Sequence, residues 1–411
     1  MDEITIENEK IDEITIENEK PEKNKVASEI VDKGRVQFSI DEEKQAKDLY
    51  AEFSSFLEKK EGITTDTGTK MTISTGIDLA DAILGGGFVI GGLNIIVGQP
   101  GSGKTMLAIQ TMAQGQRQYK GKLLPIFLDS EESTTTIRLA NLGVKHPKII
   151  PYTDITVEKV FKIIESLCVY KIEKNILDTP SVVIWDSIAN TLSEKERETE
   201  DVNKVIGQKA RVLSMTIPQY VTKLAKNNIC LLAVNQLRDV IDMGQFSAPA
   251  DLKFMSPTKS MPGGNVLKFN AFQLVEMKVK SAIAGEKAEK YGFEGIIVKL
   301  KCVKNKLFPP NIQIELVGSF TEGFSNFWTN FEFLKTTKRL NSAAWCYLIT
   351  LPEKKFRTRD AEKLYDEDPE FRHAFDASVK EAIQTEVTDK YGMVDNKSES
   401  NSDDAEEQNI K

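Results

Sequence analysis

The stretch LNIIVGQPGSGKTMLAIQ, residues 93–110, constrains the fold more than any other part of the chain. A short apolar run reads as a strand, and the apolar residues after Thr105 recur at helical spacing. Between them stand Gly98, Gln99, Pro100, Gly101, Ser102, Gly103, Lys104, Thr105 and Met106. Glycines at the first and sixth positions let backbone N–H groups wrap a phosphate chain. The next two residues carry an ammonium to its β/γ end and offer a hydroxyl to Mg²⁺. Such a loop needs a strand that feeds the N-terminus of a helix, so it commits its surroundings to α/β architecture.

The neighbouring sequence agrees. The runs LPIFL (124–128), SVVIW (181–185) and ICLLAV (229–234) are nearly continuous apolar strands separated by helical stretches. Strands of that kind form a parallel sheet covered on both faces. One covering helix is VEKVFKIIESLC, with Val157, Val160, Phe161, Ile164 and Leu167 on one stripe. Each strand ends in polar residues: Asp129, Ser130, Glu131 and Glu132; then Asp186; then Asn235 and Gln236. Ligands of open α/β sheets lie beyond the carboxyl ends of the strands, so these sets converge on one crevice. Asp186 is placed to hold Mg²⁺ directly or through water. Glu131 is the candidate to activate a water, with Glu132 as its competitor. The chemistry this predicts is nucleoside triphosphate hydrolysis.

Charge is concentrated at the ends. Of the net −8, residues 1–20 carry −6 and residues 386–411 carry −5, which leaves the body slightly positive and open to an anionic ligand. The first twenty residues repeat DEITIENEK at 2–10 and 12–20 and read as a disordered acidic arm, residues 1–34. Residues 35–70 read as a strand, RVQFSI, an amphipathic helix at 48–60 and a linker; Phe38, Leu49, Phe53 and Phe56 supply its apolar contacts. The ATPase core is expected over 71–335, a small C-terminal domain over 336–385, helical at FRHAFDASVKEAI, and an acidic disordered tail over 386–411. Further strands are expected at 273–279, 295–303 and 311–317, with a hairpin around KNKLFPP. Four dispersed cysteines, most in apolar runs, read as reduced core thiols of an intracellular protein, and only His146 and His373 are available to a metal. No apolar run reaches the length of a membrane helix.

These elements, in this order, resemble the RecA-type recombinases. The likeness runs through STGIDLADAILGGGFVIGGLNIIVGQPGSGKT (74–105), FLDSEES (127–133), VVIWDS (182–187), LLAVNQLRD (231–239), PGGNVLKF (262–269) and KCVKNKLFPP (301–310). The short C-terminal segment looks more like the phage UvsX type. The resemblance implies a RecA-like P-loop fold, ATP and Mg²⁺ as cofactors, and a cytoplasmic setting (host cytoplasm or nucleoid if phage-encoded). It implies an ATP-dependent recombinase that forms helical filaments of itself on single-stranded DNA and pairs that strand with homologous duplex. Expected partners are a single-strand binding protein and a loading mediator. A ring helicase on the same core, or a recombination mediator, is the alternative.

Residue by residue, the resemblance makes Glu131 the catalytic glutamate and Gln236 the sensor of the γ-phosphate. Lys304 and Lys306 match a pair that reaches a neighbouring subunit's ATP. DNA contacts fall on segments 193–211 and 237–264: Arg211, Ser214, Arg238, Gly263, Gly264 and Asn265 at the backbone, with Ile206 and Ile241 as wedges between bases. For the two isoleucines, ordinary packing stays an open reading. Two positions depart from the pattern. Arg138 stands where bacterial members stack an aromatic on adenine, and Pro218 replaces a basic DNA contact, so its helix is expected to start late or bend.

Overall fold

The computed structural model describes residues 39–61, 70–131, 134–145, 155–199, 207–239, 259–343 and 345–391. The chain divides into two compact units, Met1–Thr69 and Lys70–Lys411. The described part of the first is one helix, α1 (Ile40–Glu61). It begins eight residues earlier than expected and takes in the last residue of the expected strand; residues 35–38 lie outside the described residues. Ser39 ahead of the helix and Asp41 in its first turn are residue types that favour a helix start. Leu49, Phe53 and Phe56, expected to make apolar contacts, are more than half exposed along one stripe of α1. Among the described residues of this unit no second layer covers that stripe.

An eight-stranded sheet organises the second unit. Its strands are β1 (Leu93–Gly98), β2 (Leu124–Asp129), β3 (Ser181–Asp186), β4 (Ile229–Gln236), β5 (Gln273–Ile283), β6 (Gly295–Asn305), β7 (Gln313–Ser319) and β8 (Gly323–Phe324). Their spatial order is β8-β7-β6-β5-β1-β4-β3-β2. The five strands from β5 to β2 run parallel, and β6, β7 and β8 extend one side antiparallel. The expected hairpin is the β6–β7 pair.

The main helices are α2 (Asp78–Leu84), α3 (Lys104–Gln118), α4 (Thr136–Asn141), α5 (Val157–Glu173), α6 (Glu194–Glu198), α7 (Gln208–Lys226), α8 (Asn265–Asn270), α9 (Asn326–Thr336) and α10 (Pro369–Ile383). The two-residue side-chain period of the strands sorts them between two helical layers. Ile96, Val182 and Ile184 pack with α2 and α3 on one face. Ile95, Val97, Val183 and Trp185 pack with α5 and α7 on the other. The strands are buried on both sides, which is why they read as unbroken apolar runs.

Of the two expectations for α7, a late start is not met: the helix begins at Gln208 and runs through Pro218. Proline removes one N–H from the ladder, and the apolar stripe of Leu213, Ile217 and Leu224 against the sheet holds the helix across that gap. At the C-terminal side, Leu340–Ser342, Cys346–Leu348 and Leu351–Phe356 form a small antiparallel sheet that period reading had not separated. It shares an aromatic cluster with α9 and α10 built on Phe327, Trp328, Phe331, Phe356, Phe371 and Phe375. Asp368 caps α10 by accepting from the N–H groups of Glu370 and Phe371, with Pro369 at the first helical position.

All four cysteines are buried free thiols, and burial pushes those of Cys230 and Cys302 up to about 12, so neither is a nucleophile at neutral pH. Among the described residues no helix is long and apolar enough to cross a membrane.

Register fixes where the site lies. Gly98 stands opposite Gln236, Asp129 opposite Asp186, and Asp186 opposite Val234. The carboxyl ends of β1, β2, β3 and β4 therefore open on one edge of the sheet.

Candidate active site

The loop between β1 and α3 turns on glycines. Gly101 and Gly103 sit at φ 74° and 82°, where other residues are strained. A Cβ on Gly103 would also lie 2.7 Å from the ring of Phe324. Lys104 opens α3 and is only 7% exposed; its Nζ donates to the Gln99 carbonyl at 2.8 Å. Burial lowers its pKa, and the nearby carboxylates of Asp186 and Glu131 oppose that shift. Thr105 Oγ1 donates to Asp186 Oδ2 at 2.6 Å. Asp186 is 1% exposed, and burial raises its carboxyl to about 6, partly offset by the Thr105 hydrogen bond. A hydroxyl and a carboxylate at this spacing are hard oxygen donors suited to Mg²⁺. Among the described residues no cluster of three or more His, Cys, Asp or Glu forms an all-protein cage. A magnesium ion here would draw its other ligands from phosphate and water.

The end of β2 supplies Glu131. Asp129, almost fully buried, accepts from the N–H groups of Glu131 at 3.0 Å and Thr134 at 2.8 Å, which turns the loop after the strand. Ser130 Oγ donates to the Asp186 and Ser187 carbonyls and so ties that loop to the end of β3. The Glu131 carboxylate then receives three donors on Oε1: Ser187 Oγ at 2.7 Å, Asn190 Nδ2 at 2.8 Å and Gln236 Nε2 at 3.2 Å. Its competitor Glu132 lies outside the described residues.

Gln236 and Asn235 end β4. Asn235 is fully buried; its Oδ1 accepts from Gln236 N at 2.9 Å and its Nδ2 donates to the Pro262 carbonyl at 2.8 Å. Hydrogen bonds therefore run from Glu131 through Gln236 and Asn235 to the glycine turn at 262–264. Gly263 and Gly264 adopt φ 96° and 78°. A Cβ on Gly263 would lie 2.5 Å from Leu267 and 2.9 Å from Leu213, so the turn is pressed between α8 and α7. On α7, Ala210 and Leu213 meet Gly264 and Gly263, and the residues next to them in sequence, Arg211 and Ser214, are exposed, as is Asn265 after the turn. For Arg238 the backbone alone is described; Ile206 and Ile241 lie outside the described residues.

A cavity of about 330 Å³ collects Gly101, Gly103, Lys104, Thr105, Glu131, Asp186 and Gln236. Arg138 lines it too, together with Ile296 and half-exposed Phe320, which follows β7. Sequence reading missed Phe320, because its segment carries no phosphate-loop signature. Lys304 and Lys306 do not line this cavity. Lys304 Nζ donates to the Lys268 and Phe269 carbonyls, both at 2.8 Å, and Lys306 Nζ lies 5.5 Å from the centre of the Phe272 ring.

A second feature escaped the sequence reading. Lys278 on β5 pairs with Lys299 on β6, and Lys301 follows on the same face. With Lys280 they form a lysine-rich sheet face countered by Glu276 and Glu315; Lys280 bonds Glu315 at 2.7 Å. The KVK and KLK alternation at 278–280 and 299–301 was the available signal.

Against known proteins, the family model described as the RecA N-terminal domain matches residues 55–325. Protein RecA of Colwellia psychrerythraea is 27% identical over 80% of this chain and 87% of its own length. Protein RecA of Thermus aquaticus is 32% identical over 61% of this chain and 67% of its own. The chain spans 65% of the length of Protein RecA of Borrelia hermsii, at 30% identity. A crystal structure of the RadB recombinase aligns at 19% identity and a TM-score of 0.41, covering 62% of this chain and 98% of that one.

Proposed function

We propose, for a chain that belongs to the RecA family, that it is an ATP-dependent DNA strand-exchange protein of the phage UvsX type, polymerising on single-stranded DNA. The hydrogen-bonded path from Glu131 through Gln236 and Asn235 to Pro262 carries this reading. A plain nucleotide hydrolase has no need to join its water-activating residue to a glycine turn on another element. Here an occupied γ-phosphate position would compete for the Gln236 amide, and any shift of Gln236 would be felt at Gly263.

Phosphates would lie on the glycine loop, with Lys104 Nζ leaving the Gln99 carbonyl for them. Thr105 and Asp186 would hold Mg²⁺, which supplies charge neutralisation at the transferring phosphoryl group. Glu131 orients and deprotonates the attacking water, and Ser187, Asn190 and Gln236 fix its carboxylate for that task. Arg138 and Phe320 flank the nucleobase end, a guanidinium and a ring both able to pack on a base face. Lys304 and Lys306, outside their own chain's cavity, act on a neighbour's ATP in a head-to-tail assembly, where they neutralise developing charge. The turn Gly263–Gly264 with Arg211, Ser214 and Asn265 takes the DNA backbone without reading bases, so that pairing can test homology. The lysine face of β5 and β6 suits the incoming duplex.

ATP hydrolysis measured with and without single-stranded DNA, beside electron microscopy of the same mixtures, tests the reading. DNA-stimulated turnover and nucleotide-dependent filaments are expected, and both should be lost in Lys104→Ala. Turnover that ignores DNA with no filaments would overturn the proposal; unwinding without pairing would make the protein a helicase.

A further inference from the structure

Gln110 stands on the second turn of α3 and does not line the nucleotide cavity. Its side-chain amide nevertheless makes two hydrogen bonds to one backbone unit. Nε2 donates to the Phe324 carbonyl at 2.8 Å, and Oε1 accepts from Phe324 N at 2.9 Å. The amide thus completes β8 much as a neighbouring strand would. Room for it exists because residue 323 is glycine at φ 93°, where a Cβ would lie 2.9 Å from Gln110 Oε1.

The same residue, Phe324, is fixed a second time by its ring. That ring fills the space beside Gly103, with its Cζ 2.7 Å from where a Cβ would be, and beside Gly318 at the same distance. The turn between β7 and β8 is therefore anchored to the phosphate-loop helix at two points. Phe320, more than half exposed, projects from that turn into the wall of the cavity. Within the turn itself the Ser319 hydroxyl pairs with that of Thr321 and accepts from the N–H groups of Thr321 and Glu322, and Phe320 N reaches the Glu294 carbonyl at 3.3 Å. The helix that carries Lys104 and Thr105 thereby also sets the position of the ring at the base end.

We infer that Gln110 is a positioning residue that holds Phe320 at the nucleobase end of the site and so sets affinity for the base, separately from the phosphates. This rests on the proposed nucleotide site. A primary amide alone among side chains of this length both donates and accepts in the required geometry. Glutamate keeps the acceptor but cannot donate to the Phe324 carbonyl, and methionine fills the volume with neither group.

Binding of Mg·ATP and of Mg·tripolyphosphate, which has no base, is compared in the wild type, Gln110→Met, Gln110→Glu, Phe320→Ala and the double variant Gln110→Met/Phe320→Ala. Gln110→Met should weaken ATP about tenfold, equivalent to about 1.4 kcal/mol, and raise KM while kcat changes less than about twofold. Tripolyphosphate affinity should not move. Gln110→Glu should show the same split, which keeps the test alive if Gln110→Met does not fold. The double variant should be no worse than Phe320→Ala alone, because both changes remove one interaction. Equal weakening of tripolyphosphate would mean a disturbed phosphate loop, and additive losses would mean that Gln110 does not act through Phe320; either result overturns the inference. A wild type that binds neither probe would instead overturn the proposed nucleotide site.

Discussion

Replacing Asp186 with asparagine should make the nucleotide-free protein more stable and the enzyme inactive. Asp186 is 1% exposed, and burial raises its carboxyl from 3.8 to about 6. Keeping it ionised at pH 7 therefore costs about 3 kcal/mol relative to a carboxylate in water. The folded state holds the proton more tightly than the unfolded state. Stability thus falls as pH rises from about 4 to about 6, and the whole cost is present above that window. The amide oxygen of the Asp186→Asn variant would still accept from Thr105 Oγ1, and the side chain would carry no charge. Lys104 would lose an opposing charge, which takes back part of the gain. The net stabilisation at pH 7 should be about 1–2 kcal/mol, or a Tm rise of roughly 1–3 °C for a unit of this size. Thermal unfolding in chelator is followed from pH 4.5 to 7.5 for wild type and variant. Asp81, also raised by burial to about 6, titrates in both proteins and cancels in the difference. The difference should open between pH 4.5 and 6.5, and Mg·ATP should stabilise only the wild type. A variant less stable than wild type at pH 7, or a difference flat with pH, would refute the reasoning.

Glu131→Gln retains a carbonyl oxygen for Ser187, Asn190 and Gln236 but cannot take a proton. ATP binding should persist while single-turnover hydrolysis falls about 10²–10⁴-fold; normal turnover would move the water-activating role to another residue. Gly263→Ala forces φ 96° on a Cβ that meets Leu267 and Leu213. Strain of about 1–3 kcal/mol should displace the turn and weaken single-stranded DNA binding, read by fluorescence anisotropy. Unchanged DNA affinity would remove the glycine turn from the binding surface.

The parallel sheet was legible because strands buried on both faces leave unbroken apolar runs, and the phosphate loop because phosphate contact demands glycine at fixed spacing. Asp186, Glu131 and Gln236 were legible by position, since each lies at or just beyond the end of a strand and register aligns the strand ends. What stayed hidden depended on partners distant in sequence. Phe320 joins the cavity only because its turn is anchored through Phe324, whose backbone bonds Gln110 on α3 across 214 residues of chain. The reach of α1 back to Ile40 was hidden by a strand-like pattern, RVQFSI, whose last residue is helical. The small sheet at 340–356 has strands of three to six residues, too short for alternation to stand out.

Pro218 and Lys304 show how tertiary contacts decide what a local signal means. A proline in a helical stretch predicts a late start or a bend, but α7 starts ten residues before Pro218, and its three buried apolar residues outweigh one missing hydrogen bond. A lysine in a basic hairpin predicts a solvated tip, yet Lys304 caps the last carbonyls of α8, the favourable place for a cation on a helix. That helix begins at the glycine turn, whose Pro262 carbonyl is held by Asn235. One six-residue helix therefore joins the strand that bears Gln236 to the strand that bears Lys304. On the proposed function, a shift of Gln236 has a short mechanical route to both the glycine turn and the lysine pair. Lys304→Ala would disturb both at once, whereas Lys306, its Nζ set against the Phe272 ring, is the position at which the proposed action on a neighbour's nucleotide can be tested apart from support of the turn.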